Sequence, residues 1–331
     1  MVTTGSAQTA LSFTDAAFAD QMRESLDAVE ERLLKAVDTD QPLLRQSGAH
    51  LIHAGGKRFR PMLTLACSHL GDPGRPGIID SAVALELTHL ATLYHDDVMD
   101  EAAVRRGAPS ANARWDNSIA ILTGDYLFSQ AAQIMSDLGP EAVRVQAATF
   151  ARLVRGQINE TVRRPDGIDP VEWHLDILSE KTGSLIATSA KFGAWFAGAP
   201  PETVAIAEEF GEVIGVAFQI ADDIIDIASD TSGKTPGTDL LEGVPTLPII
   251  YALAGTDPSE ERLRELVSGP VAEEDLAEAL ALLRASTAID QARATLEQYG
   301  RRAHDLAQAL PQGPASAALI DICDYMLERE A

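Results

Sequence analysis

The chain has 331 residues, 46% of them apolar, which is enough to bury a large core and allows one or two domains on length alone. Its 50 acidic and 26 basic side chains give a formal charge of −24, which argues against nucleic acid or an anionic lipid surface as a partner. The two cysteines, Cys67 and Cys323, are too few and too far apart for a disulfide framework or a cysteine zinc cluster, and they fit a cytoplasmic location.

Residues 1–14 read as a flexible start with neither a basic segment nor an apolar core of an export signal. No later window approaches the ~20 apolar residues that span a bilayer, so stable membrane insertion is not expected. Apolar residues then recur at helical spacing almost throughout, and alternating strand patterns are absent. The expectation is a single all-α domain over 1–331, a large helical bundle with a central cavity and no sheet. Glycine and proline clusters at 71–77, 164–167, 199–201, 232–237 and 311–314 should separate its helices, with shorter helices after Pro245.

The first chemically loaded segment is Gly55-Gly56-Lys57-Arg58-Phe59-Arg60-Pro61, three cations between a double glycine and a proline that can open a helix. Backbone amides, a helix N-terminus and cations together suit an anion, although a solvated basic turn has the same composition. His89 comes seven residues before Asp96, two turns up the same helical face, as either a diphosphate contact or a satisfied boundary residue.

Two carboxylate clusters follow, Asp96-Asp97-Val98-Met99-Asp100 and Asp222-Asp223-Ile224-Ile225-Asp226. Each ends an apolar helical run, and the residues at i and i+4 share a face. Like charges at a helix C-terminus are locally unfavourable without a cation. Oxygen-only ligands suit Mg²⁺ bridging carboxylates to a diphosphate. Arg105-Arg106-Gly107 adds cations just after the first cluster. Glu180-Lys181-Thr182-Gly183-Ser184 breaks a helix with a second potential phosphate contact or a simple kink; Phe218-Gln219 precedes the second cluster and Lys234 follows it.

The motifs GGKRFRP, HDDVMD with RRG, GQ at Gly156-Gln157, KTGSL, FQIADDIIDI and GKTPGTD with EGVPTLP stand in one order from about Gly55 to Tyr251. In this combination the chain resembles the trans-isoprenyl diphosphate synthases of the long-chain polyprenyl type. The resemblance implies that Lys57, Arg60, His89 and Arg106 hold isopentenyl diphosphate. It implies that Asp96, Asp97, Asp100, Asp222, Asp223 and Asp226 bind Mg²⁺, three ions per active site, on the allylic diphosphate. Arg105, Lys181, Thr182, Gln219 and Lys234 would complete that site, with Arg105, Lys181, Thr182 and Gln219 acting on the departing diphosphate and the carbocation. A homodimer is implied as well, and a product delivered to the membrane, a quinone side chain being the expected use.

Small residues upstream of the first cluster, Ala91, Thr88, Ala84 and Ser81, recur on one helical face. They would either line a tunnel for the growing chain or admit a neighbouring helix. In the resembling family, bulky residues just before this motif mark short-chain enzymes, so Ala91 and Thr92 favour a long product, with Phe150 as a candidate floor. Competing expectations are a short-chain farnesyl or geranylgeranyl diphosphate synthase and a non-catalytic partner subunit. A terpene cyclase fits poorly with the cations at Lys57, Arg60 and Arg106.

Overall fold

The computed structural model describes residues 13–228 and 236–328. In chain order its elements are α1 (Ala16–Ala36), α2 (Pro42–His53), α3 (Phe59–Ser68), α4 (Ile78–Met99), strands β1 (Val104–Arg105) and β2 (Ala108–Pro109), α5 (Ala111–Arg114), α6 (Asn117–Leu138), α7 (Pro140–Thr161), α8 (Pro170–Leu178), a π-helical turn (Ser179–Gly183), α9 (Ser184–Phe196), α10 (Pro201–Ala228), α11 (Thr238–Glu242), α12 (Leu247–Ala254), a 3₁₀ turn (Pro258–Glu260), α13 (Glu261–Leu266), α14 (Leu276–Arg284), α15 (Thr287–Ala309) and α16 (Pro314–Glu328). The fold is all-α, as the periodicity requires, and among the described residues no helix is long and apolar enough to cross a membrane.

Local chemistry explains the boundaries. Asp15 caps α1 by accepting from the amides of Ala17 (2.9 Å) and Phe18 (3.1 Å), and Asp116 caps α6 through Ile119 (2.8 Å). Proline opens α2, α7 and α8 at positions where its missing N–H costs nothing. The expected breaks at 71–77 and 164–167 fall between helices, and those at 199–201 and 311–314 end on the proline that opens the next helix. A further break at Gly139-Pro140 was not expected. Against the expectation of no sheet there is one two-residue hairpin, closed by Arg106 (φ +54) and Gly107 (φ +75). Two successive positive φ values make the type I′ turn that suits such a hairpin, and four strand residues are too few to leave an alternating signal. Lys234, most of the 232–237 break and residues 1–12 lie outside the described residues.

The described residues pack as two compact units. The first comprises 13–150, 185–211 and 308–321; the second comprises 151–184, 212–228, 236–307 and 322–328. In the first, α4 packs against α1, α3 and α6, and residues 81–88 are buried on every side, which is why α4 lacks a polar face. Thr14 is tied there to Asp321, its hydroxyl donating at 2.7 Å. In the second, α12 packs against α8, α13 and α14.

Candidate active site

In the first unit the double glycine and its cations form the turn entering α3. Arg58 takes a left-handed conformation (φ +47) and is buried; its guanidinium donates to Glu30, to Glu86 at 3.3 Å and to the carbonyls of Ile52 (2.9 Å) and Gly55 (3.0 Å). Burial opposes this charge, and the two glutamates more than offset it. Of the three cations expected in one anion-binding turn, Arg58 therefore serves to hold the turn together. Glu86, a lone carboxylate within the apolar run of α4, was missed by sequence reasoning, and its isolation there was the available signal.

The remaining cations converge. Arg60 has its Nε buried without a hydrogen-bond partner; burial, with Glu86 opposing and Arg106 adding, lowers its pKa to about 10, so it stays charged at neutral pH. Arg106, at the hairpin tip, donates to Leu51 O at 3.0 Å and to Gly55 O. A Cβ on Gly56 (φ +134) would lie 2.6 Å from Arg106 Cζ, so only glycine lets that guanidinium in. His89 is held well below the usual histidine range by burial and then by Arg60, Arg106, Arg58 and Arg105. It is a neutral imidazole beside a cluster of guanidinium groups, with Lys57 exposed near the start of α3.

The first carboxylate cluster ends α4, with the Asp100 amide donating to Asp96 O at 2.8 Å. Asp96 is half-buried and Asp100 exposed. Asp97 differs from both. Its side chain is fully buried, Oδ1 lies 2.6 Å from Arg105 Nε, and Oδ2 is buried without a hydrogen-bond partner. Burial pushes its carboxyl up, Arg105 pulls it back, and Asp100 adds to the rise. Asp97 thus fixes Arg105 from beneath while Asp96 and Asp100 keep the common face that their spacing requires.

The small-residue face of α4 is tightly covered. Ser81, Ala84, Thr88 and Ala91 are buried, and an added Cβ on Gly124 of α6 would meet Ala91 O at 3.2 Å and His95 Nε2 at 2.4 Å. Close helix approach therefore accounts for part of this face. Thr88 Oγ1 accepts from Gln146 Nε2 of α7 at 3.0 Å, and Thr92, half-buried, donates to His89 O at 2.7 Å. Phe150 packs on Phe128 with ring centroids 4.5 Å apart, and Phe128 in turn lies 5.7 Å from the His95 ring. Gln146 and Phe128 were not anticipated.

In the second unit, the break around Gly183 is a π-helical turn, a distortion found frequently at functional positions. It carries Lys181 and Thr182, both half-buried. Lys181 Nζ pairs with Glu160 of α7, and Gly156 admits the turn because a Cβ there would lie 2.5 Å from Lys181 N. Arg155 pairs with Glu180, and Ser179 Oγ donates to Glu212 Oε1 at 2.6 Å.

The second carboxylate cluster ends α10. Asp222 and Asp226 are half-buried and share a face, as does Gln219 one turn earlier. Asp226 accepts from the amides of Asp239 (3.3 Å) and Gly237 (2.9 Å), which ties down the start of α11. Asp223 Oδ2 accepts from the Leu247 amide at 3.1 Å and meets His174 Nε2 at 3.2 Å. Asp223 therefore parallels Asp97, the second aspartate of each cluster having a charged or backbone partner of the protein behind it. Glu160 and His174 were missed; Glu160, three residues after Gln157 and bonded to it at 3.3 Å, shared its face in the sequence.

Comparison with known proteins matches residues 41–283 to the polyprenyl synthetase family. The chain belongs to this family. It is 48% identical over 320 residues to a nonaprenyl diphosphate synthase of Mycobacterium tuberculosis, covering 95% of each chain. A geranylgeranyl pyrophosphate synthase from Corynebacterium glutamicum, solved with calcium and isoprenyl diphosphate, superposes with a TM-score of 0.88 at 43% identity, covering 96% of this chain and 99% of that one. A decaprenyl diphosphate synthase from Rhodobacter capsulatus superposes at 0.85 with 32% identity, covering 95% and 99%. The protein is a prenyltransferase of the trans-prenyl diphosphate synthase class, with the all-α fold of these neighbours.

For this prenyltransferase the donors fit a divalent cation. Each cluster offers carboxylate oxygens only, on a solvent-accessible helix end, with its middle aspartate anchored from behind. Hard oxygen donors with room for water and phosphate oxygens suit Mg²⁺ and Ca²⁺ and disfavour zinc.

Proposed function

We propose that the protein condenses isopentenyl diphosphate with an allylic diphosphate, repeatedly, to make a long-chain trans-polyprenyl diphosphate in the cytoplasm as a single catalytic domain. The observation that carries this reading is the pair of DDxxD clusters, each on a helix end and each with its middle carboxylate anchored, in a chain of the polyprenyl synthetase family. Asp96 and Asp100, with Asp97 supporting, and Asp222 and Asp226, with Asp223 supporting, would hold three Mg²⁺ ions. When bound, these ions neutralise charge on the allylic diphosphate and so favour its departure.

The side chains do the rest. Arg60, Arg106 and Lys57 bind the diphosphate of isopentenyl diphosphate, and the buried, unpartnered Nε of Arg60 gains a partner in doing so. Neutral His89 donates one N–H to the same group without adding charge. Lys181, Arg105 and Lys234 hold the allylic diphosphate, and the Thr182 hydroxyl and Gln219 amide turn dipoles toward the allylic cation as the C–O bond breaks. The alkene attacks that cation, and the departing diphosphate takes the proton.

Thr88, Ala91, Thr92 and Phe150 set product length, and the chain feeds a membrane quinone. The 48% identity to a nonaprenyl diphosphate synthase supports a long product, and the match to a geranylgeranyl synthase keeps a short-chain activity as the second reading. Ile121 and Leu122, 42% and 60% exposed on α6, support burial of that face in a homodimer. Incubation with labelled isopentenyl diphosphate, Mg²⁺ and separate primers, followed by sizing of the dephosphorylated products, tests the reading. Long polyprenols are expected; products ending at three or four isoprene units would replace it with the short-chain one, and no product would leave the partner-subunit role.

A further inference from the structure

The π-helical turn that bears Lys181 and Thr182 is gripped at its first residue. Ser179 Oγ donates to Glu212 Oε1 at 2.6 Å and accepts from Arg152 Nη2 at 3.2 Å, and Arg152 Nη2 also reaches Glu212 Oε1 at 2.8 Å. These three groups close a triangle linking α7, the turn and α10. Burial pushes the Glu212 carboxyl up, but bonds from Arg152 and Ser179, with the charge of Arg302, more than offset it and hold it below the usual carboxylate range. Glu212 lies ten residues before Asp222, and Arg152 five before Gln157. None of the three belongs to a motif that carries the proposed chemistry.

The geometry has a specific consequence. A π-turn holds one residue more than an α-turn and competes with plain α-helix, so its position along the chain must be pinned by something outside its own backbone. Slipping that extra residue by one position would rotate Lys181 and Thr182 by about 100° around the axis. The turn is confined further along by Glu180 with Arg155, Lys181 with Glu160, and Gly183, where a Cβ would stand 3.3 Å from Glu212 O. The first constraint in chain order is the Ser179 hydroxyl, and the carboxylate that receives it is charged, half-buried and already fixed by Arg152.

We propose that Glu212, held by Arg152, is a positioning residue for the allylic diphosphate site: by binding Ser179 it sets the register of the π-turn and so the aim of Lys181 and Thr182. The inference rests on the reading of those two residues as allylic-diphosphate ligands. Glu212→Gln keeps shape and an acceptor oxygen but loses the charge that holds Arg152. Ser179→Ala removes the hydroxyl alone.

The test measures steady-state kinetics of the full-length variants with farnesyl diphosphate as primer, alongside thermal unfolding and a Lys181→Ala control. Both Glu212→Gln and Ser179→Ala should raise KM for the primer about ten-fold, the loss of one hydrogen bond to a charged group. KM for isopentenyl diphosphate should stay within about two-fold of wild type, and the double variant should be no worse than Glu212→Gln, because both cut the same link. Equal changes in both KM values, or a fall in kcat alone that follows lost stability, would reduce Glu212 to a packing role and overturn the proposal. If Lys181→Ala raises the primer KM and Glu212→Gln does not, the positioning inference alone fails. If Lys181→Ala leaves it unchanged, the reading of Lys181 fails and the inference falls with it.

Discussion

Gly56→Ala is the smallest change that should damage one substrate site and spare the other. At φ +134 an L-residue is strained by about 1–2 kcal/mol. The new methyl would also stand 2.6 Å from Arg106 Cζ, well inside contact distance, so the guanidinium must leave Leu51 O and Gly55 O. In a chain of 331 residues, at ~2.1 cal/mol/K of unfolding entropy per residue, the strain alone lowers Tm by only about 2 °C. Displacing a cation from a diphosphate forfeits about 1.5–3 kcal/mol, or about 10- to 100-fold in KM for isopentenyl diphosphate. Steady-state kinetics with each substrate varied in turn, together with a melting curve, separate the two effects. A KM for isopentenyl diphosphate that stays at the wild-type value while Tm falls would refute the role assigned to Arg106.

Glu86→Ala leaves the buried Arg58 with one carboxylate fewer and should cost about 3 kcal/mol in chemical unfolding, far more than a surface substitution; a loss below about 0.5 kcal/mol would show that Glu30 alone suffices. Because His89 is depressed in the folded protein, the unfolded chain binds the extra proton first. Stability should therefore fall as pH drops below 6.5, the usual histidine value, and be unaffected by this residue above it. Unfolding of His89→Gln across pH 5–8 should lack that component, and an unchanged profile would refute it. Phe150→Ala opens space beside Phe128 and should lengthen the product in the sizing assay, an unchanged length removing Phe150 from the account.

Much of this architecture was legible because it is encoded locally. Helix periodicity and glycine and proline breaks are properties of a few neighbouring residues, and they place both DDxxD clusters near the ends of apolar helices without any knowledge of packing. What stayed hidden depends on partners distant in sequence. Three cations in a row look equivalent until Glu30 and Glu86, 28 residues away on either side, claim Arg58. The inward turn of Asp97 depends on Arg105 across a hairpin too short to show a pattern, and the grip on the π-turn joins residues 33 apart. The small-residue face of α4 shows the reverse difficulty. Its spacing is equally good for a tunnel wall and for the close approach of a neighbouring helix, and α6 comes near the Ala91 carbonyl at Gly124 without deciding what the side chains line.

The most direct test of the whole account compares Asp96→Ala, Asp222→Ala and the double variant in the condensation assay at saturating Mg²⁺. If both clusters act on one allylic diphosphate, each single change should lower kcat/KM by about 1,000-fold or more, and the double should be hardly worse than the weaker single, because groups acting as a unit lose their contribution together. Losses that multiply, or a single variant that keeps wild-type turnover, would mean that the two clusters do not serve one reaction centre.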